Sequence, residues 1–314
     1  MMTQLYQISD ATRQFHLAVG DGHQLEVEEY GCAAGVPVII CHGGPGTGIC
    51  HYPLHYFNPE RYRIILYSQR GCGGSTPHST AHNTTAHLLQ DLTTLLDHLD
   101  ITKTVLAGGS WGATLALLYA LAEPKRVRGL VLWSSFLSSS ADFAWMYSPE
   151  GAGAQFYPEQ YQQFNSQNLS WQALLAQYHQ RLNGKDELLG FQAAQHWCQW
   201  ERLLIAGESN PRYLLAERQH QLLQARLMVH FFTAGGFVPD GFILQHATQL
   251  QSIPSWFIHG RHDLICRFAG VQALATTMHA KLLILDGIGH CVRNSVYSEA
   301  IRRAADLLLI KLDH

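Results

Sequence analysis

The chain has 314 residues, of which 47% are hydrophobic, 11% aromatic and 14% charged, with seven tryptophans and a formal net charge of −3. So few charges among so many aromatics exclude a disordered chain. The near-neutral balance gives no electrostatic basis for binding nucleic acid or an anionic membrane, and the length calls for one large domain with an insertion or for two modest ones.

The opening stretch MMTQLYQISDATRQFHLAVGDG lacks a basic start, an apolar core and a small-residue cleavage site, so no signal peptide is read there. No run reaches the about 18 apolar residues of a membrane span. Cys32, Cys41, Cys50, Cys72, Cys198, Cys266 and Cys291 are an odd, scattered set without a CxxC pair. That usage fits reduced thiols and a cytoplasmic location better than a disulfide framework or a zinc site. In HYPLH, His51 and His55 stand four apart, but no convergent further ligand accompanies them. No metal or cofactor is expected.

In chain order, QFHLAV and QLEVEEY flank GDGH and predict a hairpin. VPVIIC (36–41) and YRIILYS (62–68) predict buried strands, each running into a glycine-rich loop. Leu88, Leu92, Leu95, Leu96 and Leu99 then fall on one face of a helix, with a threonine of NTT available as its N-cap. KTVLAGG predicts a strand, WGATLALLYALAE a helix stopped by Pro124, and VRGLVLWSS another strand. This alternation is that of a parallel sheet with crossover helices.

From Leu137 the rhythm changes. SWQALLAQYHQRL, FQAAQHWCQWERLLI and RYLLAERQHQLLQARLMVHFF predict helices rich in aromatics, with little β signal up to residue 246. The alternation resumes with SWFIHG, a helix near 267–278, KLLILDG and a closing helix near 295–312. The expected architecture is therefore an α/β sheet domain, residues 1–136 and 247–314, interrupted by a helical cap at 137–246.

Two segments carry chemistry. GGSWG contains G-x-S-x-G as Gly108, Ser110 and Gly112 between a predicted strand and a predicted helix. Such a turn strains the serine backbone and exposes its hydroxyl, and it places the N–H of Trp111 at a helix N-terminus. A dinucleotide or phosphate loop is excluded because neither GxGxxG nor GxxxxGK[ST] is present. A serine needs a base, and the base an orienting carboxylate, each from the end of a later strand. Asp263 in FIHGRHD and His290 in LILDGIGH occupy those places in the expected order, with His262 and Asp286 as neighbouring competitors. The second segment, HGGPGTG, spends four glycines and a proline in seven residues after a strand. Bare backbone there suits an oxyanion donor, for which Gly44 is the choice beside Trp111.

Together HGGPG (42–46), QRGCGGS (69–75), NTT (83–85), GGSWGATLAL (108–117), GRHD (260–263) and GH (289–290) resemble the proline iminopeptidase (prolyl aminopeptidase) family of α/β-hydrolases, over nearly the whole chain. The resemblance implies an α/β-hydrolase core, a mostly parallel sheet flanked by helices, with an inserted helical cap domain. It also implies release of N-terminal proline from small peptides through a serine acyl-enzyme, without metal or cofactor. Ser110, Asp263 and His290 take the triad roles, and Gly44 and Trp111 the oxyanion roles.

WCQWE resembles the family's W-x-x-W-E and carries an amine-binding glutamate onto Glu201. The chain departs from the family at Ser68, where aspartate is usual, and at Trp133, where arginine is common. The largest departure is at Met228 and Val229, where the family has a second amine-binding glutamate followed by asparagine. That departure keeps open an esterase or amidase acting on a small uncharged acyl group, and a ligand binder on the same fold remains a third, distinct reading.

Overall fold

The computed structural model describes residues 5–206, 218–290 and 294–313. The beginning of the last predicted cap helix and Cys291 lie outside the described residues. Among these residues eight strands form one sheet, in the order β1-β2-β4-β3-β5-β6-β7-β8. The hairpin is β1 (Arg13–Ala18) with β2 (Gln24–Gly31), antiparallel, and β2 is also antiparallel to β4 (Tyr62–Tyr67). From β4 onward, β3 (Val36–Cys41), β5 (Thr104–Ser110), β6 (Val127–Ser135), β7 (Ser255–Gly260) and β8 (Lys281–Leu285) run parallel.

The sheet is covered on both faces, which explains why its central strands read as continuous apolar runs. Along β3, Val38 and Ile40 join one buried cluster and Ile39 and Cys41 the other. The first cluster packs on Ile301 and Leu308 of α11 (Ser295–Leu312), and the second on α1 (Thr85–His98) and α2 (Trp111–Ala122). Leu88, Leu92, Leu95 and Leu96 are the buried stripe of α1, as their spacing predicts. All residues from Trp111 to Ala120 are buried, so α2 is a core helix apolar on every side. One local expectation fails. Thr84 stands at the N-cap of α1 but makes no capping bond, because its hydroxyl is taken by His87 Nδ1 at 2.8 Å.

Between β6 and β7 the chain is helical: α3 (Ser140–Tyr147), α4 (Ala152–Phe156), α5 (Pro158–Phe164), α6 (Trp171–Leu182), α7 (Glu187–Ala206), α8 (Arg218–Thr233) and α9 (Phe242–His246). A further helix, α10 (Phe268–Thr277), links β7 to β8. The dense aromatics of this region pack on one another and are continuous with the buried cluster on the α1 and α2 face of the sheet: Phe164 stacks on Trp200 at 5.2 Å between ring centres, and Tyr147 lies 5.1 Å from Trp197. Among the described residues no single helix is long and apolar enough to cross a membrane.

The sheet order reverses at β3, whose two neighbours are β4 and β5. Loops leaving neighbouring parallel strands at such a switch part to opposite faces and leave a crevice at the strand ends. Cys41 pairs with Gly108, so the segment starting at His42 leaves the sheet beside Gly109 and Ser110.

Candidate active site

Ser110 ends β5 and is the N-cap residue of α2, with φ 55° and ψ −124°, a left-handed conformation that non-glycine residues rarely adopt. The close approach of this turn to β3 explains both flanking glycines. A Cβ on Gly112 would stand 2.0 Å from the Cys41 carbonyl oxygen, and one on Gly108 2.7 Å from the Gly112 backbone. Trp111 opens α2, as predicted, at an end where unpaired N–H groups and the helix dipole favour an anion.

Asp263 lies just past β7 and is buried, with 2% exposure. Its Oδ1 accepts the N–H groups of Ile265 and Cys266 at 2.9 and 2.7 Å, and its Oδ2 lies 2.8 Å from His290 Nδ1. Burial alone would raise the carboxyl's pKa. The attraction of His290, its hydrogen bond and the Cys266 N–H outweigh that and hold it below the usual carboxylate range. For His290 burial favours the neutral ring, but the Asp263 carboxylate prevails and raises its pKa. The competitors separate cleanly: His262 is exposed, and Asp286 is a surface carboxylate paired with Arg261 at 2.9 Å.

Ser110 and His290 face one cavity of about 400 Å3, which Gly43, Gly44, Trp133, Met146, Trp197, Glu201, Met228 and Phe232 also line. Gly44 has φ +108°, and a Cβ there would stand 2.7 Å from the N of Gly46. A Cβ on Gly43 would come within 3.6 Å of Ser110 Cβ, so the turn approaches the serine at Gly43, with Gly44 following in the cavity wall.

Glu201 is no surface charge. It projects from α7 into this cavity with 9% exposure, and its Oε1 accepts the hydroxyl of Tyr147 from α3 at 2.5 Å. Burial pushes its carboxyl up to about 7, against the opposing pull of the Tyr147 hydrogen bond and His290. Met228 of α8 is buried in the wall of the same cavity, at 4% exposure. Of the other departures, Trp133 lines the cavity, whereas Ser68 is part of the scaffold: its hydroxyl donates to Glu26 at 2.7 Å and accepts from the Ile49 N–H.

Several neighbours escaped sequence reasoning. The Cys266 thiol reaches Ser110 Oγ at 3.9 Å, and its burial keeps it protonated by pushing its pKa well up. Its position three residues after Asp263 was the available signal. His259, fully buried, puts Nε2 3.8 Å from Asp263 Oδ2 while bonding the Cys266 carbonyl at 2.9 Å. Tyr147 had no signal beyond being one aromatic among many.

Two groups have metal-like spacing among the described residues, Asp263–Cys266–His290 and Asp21–His82–His87. The first would need a thiolate where burial favours the thiol. In the second, the Arg70 guanidinium already occupies Asp21 Oδ2 at 3.0 Å.

Residues 36–299 match the family described as alpha/beta hydrolase fold. The chain is 35% identical to the proline iminopeptidase of Neisseria gonorrhoeae over 98% of its own length and 100% of that protein's. It is 36% identical to that of Arabidopsis thaliana over 88% of this chain and 74% of the other. The solved proline iminopeptidase of Mycobacterium smegmatis superimposes with a TM-score of 0.60 and 20% identity, covering 96% of this chain and 99% of that one, a likeness of fold. With a near-complete match at this identity, the chain belongs to the proline iminopeptidase family of the serine α/β-hydrolases.

Proposed function

We propose that the protein is a prolyl aminopeptidase: it binds a small peptide with its N-terminal proline in the cavity and releases that proline through an acyl-enzyme. The observation that carries this reading is the buried Glu201 carboxylate in the cavity that Ser110 and His290 share. Burial pushes this carboxyl up to about 7 because its charged form is costly without a partner, and a cationic group on a substrate in the same cavity would supply that partner. In this reading residues 137–246 act as a cap over a core formed by 1–136 and 247–314, and the enzyme works in the cytoplasm.

The chemistry follows from the triad. His290 Nε2 takes the proton of Ser110 Oγ as that oxygen attacks the proline carbonyl, while Asp263 holds Nδ1–H and stabilises the imidazolium. The tetrahedral oxyanion is met by the N–H groups of Gly44 and Trp111. The C–N bond then breaks, and His290 returns its proton to the leaving amine. Water, activated by the same histidine, hydrolyses the prolyl ester and regenerates Ser110.

Met228 favours a second reading, an esterase or amidase on the same triad that takes an uncharged acyl group. A methionine in the cavity wall is soft and apolar, with no charge to offer an amine. The test is turnover of a proline aryl-amide, its N-acylated form and simple aryl esters. The aminopeptidase reading expects the free amine to be required; equal turnover of the blocked amide overturns it in favour of the second.

A further inference from the structure

We propose that Gln69 is a positioning residue for the oxyanion site, whose side-chain amide ties the two halves of that site together. The inference rests on the assignment of Trp111 and Gly44 as the donors. Gln69 follows β4 and is buried, with 2% exposure. Its Oε1 accepts the indole N–H of Trp111 at 3.0 Å and its Nε2 donates to the His42 carbonyl at 2.9 Å. The indole can only donate and the carbonyl only accept, so the amide has a single satisfied orientation. One side chain thus joins the residue that opens α2 to the residue that opens the glycine turn.

The link continues to the donor itself. The main-chain N–H of Gln69 donates to His42 Nε2 at 2.9 Å, which places the ring proton on Nδ1. Burial keeps this ring neutral by lowering its pKa to about 4. Nδ1–H donates to the Gly43 carbonyl at 2.9 Å, and the Thr47 hydroxyl donates to the same oxygen at 2.9 Å. The Gly43 carbonyl and the Gly44 N–H belong to one planar trans peptide, so two donors holding the oxygen also set the direction of the N–H on its opposite edge. An unbroken hydrogen-bonded path therefore runs from the Trp111 indole through Gln69 and His42 to the peptide that carries the second donor. Its function is to fix the spacing and aim of two N–H groups whose value depends on preorganisation.

Gln69→Met removes both side-chain bonds at nearly constant volume. Trp111→Phe removes the indole N–H but keeps the backbone N–H. Each is expected to lower kcat about 10–100-fold, the penalty of a donor misplaced by a fraction of an ångström, with KM within about threefold. The inhibition constant of phenylboronic acid, whose adduct with Ser110 is tetrahedral, is expected to rise in parallel with the loss of kcat. The double variant is expected to be little worse than either single one, because both cut the same path. Kinetics within about threefold of wild type for Gln69→Met, additive losses, or a KM that rises as much as kcat falls would overturn the inference. If Gln69→Met does not fold, Gln69→Glu keeps the indole acceptor and sets a carboxylate against the His42 carbonyl; undiminished kcat there overturns it equally. Ser110→Ala separates the two levels: turnover surviving in that variant removes the underlying site assignment, whereas its inactivity beside an undiminished Gln69→Met removes only the role of Gln69.

Discussion

The corner at the strand ends and the pocket on the helices are built by different means. At the corner nearly every position is fixed by backbone: a side chain on Gly112 would collide with β3, Ser110 is held in a left-handed conformation, and Asp263 accepts two main-chain N–H groups besides His290. In the pocket the groups on which the proposed selectivity rests, Glu201 and Met228, are side chains on α7 and α8, and among the described residues the hydrogen bond that holds Glu201 comes from the Tyr147 hydroxyl. A substitution at the corner meets a clash or an orphaned charge, while one in the pocket meets only a change of chemistry. On the proposed function, reaction class is therefore tied to backbone and acyl specificity to exchangeable side chains, which is how Met228 can stand beside a complete corner.

The largest expected effect breaks the corner. Ser110→Ala is expected to abolish turnover of every substrate alike, by about 10⁴-fold or more, and Asp263→Asn to cost about 10³–10⁴ in kcat by letting His290 adopt the wrong tautomer. Steady-state kinetics on an amide and an ester check this, and a loss confined to one substrate class would contradict a shared corner.

Glu201→Gln is the corresponding cut in the pocket. It is expected to lower kcat/KM for free-amine substrates about 10–150-fold and to leave N-acylated ones within a few fold, since one hydrogen bond to a charged group contributes about 1.5–3 kcal/mol. The same substitution has a stability signature of definite sign. The folded-state pKa of Glu201 lies above its unfolded value, at about 7 instead of 4.5. The neutral carboxyl's contribution is therefore complete below pH 4.5 and is lost as pH rises through 7. Glu201→Gln, neutral throughout, should gain on the wild type by up to about 3 kcal/mol between pH 4.5 and pH 8. Thermal or denaturant unfolding at those two pH values measures the gain, and its absence would mean that the cavity leaves Glu201 well solvated.

The same division decides what could be read from the chain. The corner was legible because backbone constraints leave residue patterns: Gly108, Ser110 and Gly112 state a turn, the leucines of α1 state a buried face, and Asp263 and His290 follow strands as the reaction requires. The family also places Glu201 in W-x-x-W-E, but nothing in the periodicity of α7 says that this glutamate is buried, because burial depends on α3 and the other cap helices folding against it. Cys266, Tyr147 and Gln69 escape for a related reason, since each acts through a partner distant in sequence. The Thr84 cap failed on a local competition that pattern alone does not weigh, a histidine three residues on that takes the hydroxyl.

Met228→Glu sharpens the comparison from the other side. A second carboxylate in the cavity is expected to raise kcat/KM for free-amine substrates about tenfold, less than a charged hydrogen bond's full worth because it also repels Glu201. N-acylated substrates and esters should lose in the same variant. A pocket defined by exchangeable side chains predicts this opposite movement of the two classes with kcat for the ester little changed. A uniform loss in all substrates would instead show that Met228 packs against the corner and that the two regions are not separable.

The smallest effect is the pH dependence of the wild type, and it isolates Glu201 without any substitution. Holding an ammonium group requires the carboxylate, and a carboxyl at about 7 loses that form as pH falls. The ratio of kcat/KM for a free-amine substrate to that for its N-acylated form should fall about twofold from pH 8 to pH 7 and about tenfold by pH 6. His290 also protonates on the way down, since Asp263 raises its pKa, but that loss of base affects both substrates and cancels in the ratio. In Glu201→Gln the ratio should be flat over the same range. A flat ratio in the wild type would assign recognition of the acyl group to the apolar wall around Met228 and leave Glu201 as a partner of Tyr147 alone.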